Sequence, residues 1–200
     1  MDDPLPTRDR LLSAAMRLFH QKGYQSTSIA DVLREAEANP GSLYHFFPTK
    51  QDLLLAVLDR YRTGIGPMLL GPAWKGVEDP IERIFALLAR YRALLEQTDC
   101  FYGCPIGNLA LELHEPDPPV RELLAANFDA WTAAVEGCLA EAQDRPSAGV
   151  DRRQLATFVL TTMEGGVMLS RTHRSLEPFD AAVSTLRDYF ARLGAVPHPG

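Results

Sequence analysis

Asn39, Ser42, Tyr44 and His45 place an amide, a hydroxyl, a phenol and an imidazole within seven consecutive positions, around a Pro40-Gly41 pair. Side chains of these types hydrogen-bond to phosphate oxygens and to base edges, and the small residues let backbone come close to a duplex. Lys50 follows at the start of another helical stretch, where a cation can meet a phosphate. Upstream, Thr27 and Ser28 offer a hydroxyl and helix-start amides for a further phosphate. The spacing alone also fits three helices of an unrelated bundle, with His45 solvated and Tyr44 half in a core.

A second group of reactive side chains lies in Cys100-Phe101-Tyr102-Gly103-Cys104-Pro105-Ile106-Gly107-Asn108. Cys104 is expected to cap the helix that Pro105 opens, where the positive end of the helix dipole favours a thiolate. Two roles stay open for it: a sensor thiol with Cys100 as resolving partner, or a small apolar packing residue. A thiol enzyme with Cys104 as nucleophile and His114 as base is a rival of another class, and a pure helical dimerisation module is a third. The three cysteines are too few and odd in number for a disulfide framework. His20, His45, His114, His173 and His198 lack partners at metal-ligand spacing, and no cofactor is expected.

These residues need helices to hold them, and helical spacing is what recurs along the chain. The first helix is expected from Thr7 as its cap to Lys22-Gly23, with Leu11, Ala14, Ala15, Leu18 and Phe19 on one face. A short second helix begins at Thr27 or Ser28 and carries Ile29, Val32, Leu33 and Ala36. The third is capped by Asn39, opened by Pro40 and stopped near Pro48. Thr49 to Asp52 caps a fourth, which weakens through Gly64, Gly66, Pro67, Gly71 and Pro72, an expected hinge. Later helices are expected near 79–97, 105–114, 118–143, 151–173 and 178–194, with Arg145-Pro146-Ser147-Ala148-Gly149 among the breaks. Two helices, a short turn and a third helix with a small polar start form the layout of a helix-turn-helix that enters the major groove.

Thr27-Ser28-Ile29-Ala30-Asp31-Val32, followed by the run from Gly41-Ser42-Leu43-Tyr44-His45-Phe46-Phe47-Pro48-Thr49-Lys50 to Leu53, closely resembles the DNA-binding domain of TetR-family regulators. The likeness runs from about Thr7 to Leu58. It implies a dimer on a palindromic operator, usually a repressor, released when a ligand enters the C-terminal domain. Its DNA-facing positions fall on Ser28, Asn39, Pro40, Gly41, Ser42, Tyr44, His45 and Lys50, whereas Leu43 and Phe47 match core positions. The Gly-Cys-Pro segment resembles a subgroup of which some members respond to electrophiles. Two departures stand out: Glu37 replaces a common turn glycine, and Pro40 replaces a common basic residue before Gly41.

The resulting expectation is an all-α chain: a helix-turn-helix domain over 1–62 and a ligand-binding and dimerisation domain over 63–200. Pocket candidates are Phe85, Leu88, Tyr91, Phe101, Cys104, Asn108, Glu112, Phe128, Trp131 and Thr162, with Glu164 as a further polar group. The two C-terminal helices are rich in apolar residues and are expected to pair across a two-fold axis as a homodimer. The net charge of −6 argues against DNA as a partner. Yet Pro4 to Lys50 carries six basic residues (Arg8, Arg10, Arg17, Lys22, Arg34, Lys50) against four acidic ones (Asp9, Asp31, Glu35, Glu37), so a DNA site must be local and N-terminal. With no long apolar run and a polar start, the chain is expected in the cytoplasm, away from membranes.

Overall fold

Capping residues and apolar stripes divide this chain into helices. The computed structural model describes residues 5–143, 145 and 149–195, and every regular element among them is helical. Residues 1–4 and 196–200 of the expected domains, including His198, and Pro146 to Ala148 of the expected break lie outside the described residues. In order the elements are α1 (Thr7–Lys22), α2 (Ile29–Glu35), α3 (Pro40–Phe46), α4 (Lys50–Gly64), a π-helical segment (Ile65–Leu70), α5 (Gly71–Trp74), α6 (Pro80–Glu96), α7 (Pro105–Glu112), α8 (Pro118–Glu141), α9 (Arg152–His173) and α10 (Glu177–Ala195).

Local chemistry sets the limits. Thr7 is the first helical residue of α1, not its cap; Pro6 holds the cap position and makes no side-chain bond there. Gly23 ends α1 at φ 87°, a backbone that a Cβ disfavours. Ser28 caps α2 in a reciprocal box: its hydroxyl accepts the Asp31 N–H, and the Asp31 carboxylate accepts the Ser28 N–H. Thr49 and Asp52 exchange the same bonds at the start of α4. The expected hinge does not become a loop. Pro67 has no N–H to give, and the ladder widens: the Gly71 N–H reaches the Gly66 carbonyl, five residues back.

The chain divides into two compact units, Met1–Thr63 with Pro105–Asn127, and Gly64–Cys104 with Phe128–Gly200. The first break lies close to the expected 62/63 boundary. The first unit also takes in α7 and the first part of α8, which that boundary assigned to the C-terminal domain. In this unit α1 packs on α2, α3 and α7. Its core includes Leu11, Leu12, Ala15, Phe19, Val32, Leu43, Phe47 and Leu53. Buried Asn127 donates to the Leu58 and Leu123 carbonyls at 3.0 and 2.8 Å.

In the second unit α9 and α10 lie side by side, and α6 packs on both. Arg174 makes the turn between them at φ 52°, and the buried Ser170 hydroxyl accepts the Phe179 N–H at 3.1 Å. Gly166 lets the two helices approach: a Cβ there would stand 3.0 Å from the Phe179 ring and 3.3 Å from its Cα.

Gly166→Val should therefore destabilise the second unit by about 1–3 kcal/mol through overpacking, read from denaturant midpoints. The α2 cap makes a pH prediction. Hydrogen bonds from the Ser28 hydroxyl, then the Ser28 amide and Arg34, hold the Asp31 carboxyl down to about 2, against 3.8 ordinarily. The folded value lies below the unfolded one. The box therefore stabilises above about pH 4 and loses its effect as pH falls towards 2. An NMR titration should place Asp31 near 2, and Ser28→Ala should return it towards the ordinary range; an unmoved midpoint in the variant would refute this cause.

Candidate functional site

α3 is seven residues long and buries one of them, Leu43. The Asn39 side-chain carbonyl accepts the Ser42 N–H at 2.9 Å, fixing the first turn. Pro40, Gly41, Tyr44 and His45 remain exposed, Tyr44 at 52%, and Ser42 is half-buried. A Cβ on Gly41 would meet nothing closer than the Asn39 Oδ1 at 3.3 Å, so the outer side of this turn is open. Seven of the eight expected DNA-facing residues thus lie on or next to two short helices: Ser28 caps α2, Asn39 caps α3, and the other five lie along α3. Glu37 does adopt the left-handed turn backbone, at φ 49°, where a Cβ carries strain.

Two expected phosphate groups are already engaged. Thr27 is fully buried, and its hydroxyl donates to the Gly23 carbonyl at 2.7 Å and the Leu18 carbonyl at 3.3 Å. It closes the α1–α2 turn and cannot meet a backbone phosphate. Lys50 Nζ donates to the Tyr24 carbonyl at 2.6 Å and stands 4.2 Å from the Tyr24 ring centroid. Burial lowers the Lys50 pKa, and the Glu112 charge opposes that shift. Burial, then Glu112, raises the Tyr24 phenol.

Glu112, expected in the pocket, belongs to the first unit. Its carboxylate accepts the Tyr24 N–H at 2.9 Å and the Gln25 N–H at 2.7 Å. Asn108, also on α7, lies half-buried in that unit. No periodicity in the sequence separates a carboxylate turned towards a ligand from one turned towards two backbone amides 87 and 88 residues away.

Three of the pocket candidates come together in the second unit, with Glu164. Burial pushes the Tyr91 hydroxyl well above the usual phenol range, and Cys104 and Glu164 add to the rise. Burial also raises the Glu164 carboxyl, opposed by a hydrogen bond with the Cys104 thiol. The Trp131 ring centroid lies 6.4 Å from that of Tyr91. Trp131 Nε1 is buried near the Tyr91 hydroxyl but does not reach hydrogen-bonding geometry with it or with any other described group.

The remaining candidates lie elsewhere. Phe85 is buried edge-on to Phe190 at 5.4 Å, beneath the Arg187 guanidinium at 3.8 Å, and Leu88 is fully buried core. Phe101 is 49% exposed and lies under Arg174, whose guanidinium also donates to the Cys100 carbonyl at 3.0 Å. Phe128 is half-buried on α8. Thr162 lines an open groove between α9 and α10 with Phe158, Ala181, Ala182, Thr185, Leu186 and Tyr189, about 430 Å³ in volume. Burial raises the Cys100 thiol, and raises Cys138 to about 11, which suppresses thiolate at both. Among the described residues no group of His, Cys, Asp and Glu is placed to hold a metal, and no helix is long and apolar enough to cross a membrane.

Residues 11–57 match the family described as "Bacterial regulatory proteins, tetR family", and residues 80–185 match "Transcriptional regulator LmrA/YxaF-like, C-terminal domain". The chain is 31% identical over 172 residues to the HTH-type transcriptional regulator YxaF of Bacillus subtilis, covering 86% of this chain and 88% of that one. It is 27% identical over 177 residues to the HTH-type transcriptional repressor DhaR of a Mycobacterium species, covering 88% and 87%. The crystal structure of a regulatory protein TetR from Rhodobacter sphaeroides superposes with a TM-score of 0.83 at 25% identity, over 92% of this chain and 98% of that one. Such proteins regulate transcription and are not enzymes, which removes the thiol-enzyme alternative. The helix-turn-helix geometry and these likenesses agree: the chain belongs to the TetR family of bacterial transcriptional regulators, with a C-terminal domain of the LmrA/YxaF-like type.

Proposed function

We propose that this regulator is a homodimeric repressor that holds a palindromic operator through α3 of each protomer and lets go when a small molecule, or modification of Cys104, acts on the second unit. The observation that carries the proposal is the start of α3, fixed by its Asn39 cap and by Leu43, with Gly41, Tyr44 and His45 turned outward. Ser28, Asn39, Pro40, Gly41, Ser42, Tyr44 and His45 make the duplex contacts, and Lys50 reaches a phosphate with the N–H groups that Tyr24 does not take. The repressor role is supported by the name of the Mycobacterium relative.

The dimer forms through α9 and α10. Phe158 and Tyr189 are 48% and 43% exposed with ring centroids 5.6 Å apart, and Met168 and Leu169 on α9 are also exposed. Large apolar side chains gathered on one face favour association, and a two-fold copy of this helix pair covers them in a four-helix contact. The effector meets the Tyr91, Cys104, Trp131 and Glu164 group, whose enclosed polar atoms orient a ligand or a reagent.

Selection from a random duplex pool should return a palindrome with half-sites about one helical turn apart. Ser42→Ala and Tyr44→Ala should each weaken binding to it by about 1–3 kcal/mol, roughly 5- to 150-fold in Kd. If no duplex is enriched, or both variants bind like the wild type, the DNA reading fails. Tyr189→Glu should shift the protein to monomer in sedimentation; an unchanged dimer would move the interface elsewhere. N-ethylmaleimide should lower operator affinity of the wild type and spare Cys104→Ser, whereas equal affinity before and after treatment would leave Cys104 as a packing residue.

A further inference from the structure

We propose that Glu112 is a positioning residue for DNA binding: its carboxylate fixes the α1–α2 turn against α7, and a shift of α7 breaks that hold and takes the DNA-reading helices out of register. The proposal rests on the function proposed above.

The two oxygens of one ionised group each accept a backbone N–H, Tyr24 on Oε2 at 2.9 Å and Gln25 on Oε1 at 2.7 Å. Paired charge-assisted bonds of this kind fix direction as well as distance. The turn has little room to slip, since a Cβ on Gly23 would stand 2.9 Å from both Glu112 oxygens. The same turn locates its neighbours. The Thr27 hydroxyl closes on the Gly23 carbonyl at 2.7 Å immediately before the α2 cap, and Lys50, the first residue of α4, is bonded to the Tyr24 carbonyl at 2.6 Å. α3 packs on α1, the helix that this turn ends. The entry to α2 and the start of α4 thus take their positions from one side chain on α7.

α7 is also the element next in sequence to the thiol group of the second unit. It opens at Pro105, one residue after Cys104, and Glu112 is its last residue, about two turns further on. The operator is held only while both hydrogen bonds to the Glu112 carboxylate are intact.

The test uses the full-length dimer and the selected operator. Glu112→Gln keeps the size but loses the charge and offers one acceptor to two donors. Its operator Kd should rise at least ten-fold. Glu112→Asp, which keeps the charge, should recover part of the loss. In the wild type, hydrogen exchange at the Tyr24 and Gln25 amides should slow when operator is added, a measurement that stands even if a variant fails to fold. A Glu112→Gln Kd within two-fold of wild type, or amide exchange unchanged by operator, would overturn the proposal while leaving the DNA reading intact. A wild type that selects no duplex would overturn both.

Discussion

A helix of seven residues is not stable by itself in water. α3 persists because Asn39 satisfies one of its free amides, Pro40 supplies a preset first-turn φ, and the buried Leu43 and Phe47 anchor its inner side. Everything needed to read a duplex depends on that arrangement. Leu43 and Phe47 hold the helix from its inner side, whereas Asn39 and Pro40 both fix its start and belong to the surface proposed to meet DNA, so a change at either acts on hold and contact together. The strain at Glu37, in a backbone that glycine would adopt more readily, is local and is accompanied by a long bond from Arg10 to the Glu37 carbonyl at 3.5 Å.

Much of this was legible in the sequence because capping is local chemistry. Ser28, Asn39 and Asp151 mark helix starts through bonds that span two or three residues, and the observed starts follow them. The boundaries of α6 and α9 depart little from those expected, since the Asp79 and Asp151 caps mark their starts. Where the sequence misled, the cause was an interaction between distant residues or a competition that spacing cannot resolve. Thr7 looks like a cap, but Pro6 takes that place. Gly64 to Pro72 reads as a break, yet a π ladder carries the helical path past Pro67. Thr27 and Ser28 are alike as hydroxyl residues, and only the fold shows that one is buried while the other caps. Glu112 carries no signal at all of its partners in the α1–α2 turn.

In the second unit the same contrast appears in a different form. Helical spacing identified a set of apolar and aromatic residues, and the fold gives them different surroundings. Tyr91, Cys104 and Trp131 enclose polar atoms with Glu164; Phe85 and Leu88 are plain core; Thr162 faces the groove between α9 and α10. Periodicity states which residues are covered, not by what. The polar members are informative because burying a carboxyl, a phenol and an indole N–H together is costly unless each finds a partner. The Trp131 N–H makes no hydrogen bond of good geometry among the described groups.

That indole has an optical consequence. The chain has two tryptophans. Trp74 Nε1 donates to the Arg83 carbonyl at 2.9 Å, so its electronic surroundings are set by the fold. Trp131 is enclosed and makes no hydrogen bond of good geometry, so it should emit as an indole in an apolar medium, and a molecule that brings an oxygen to its N–H should shift that emission to the red. A fluorescent reporter is thus built in at the group proposed above to meet the effector.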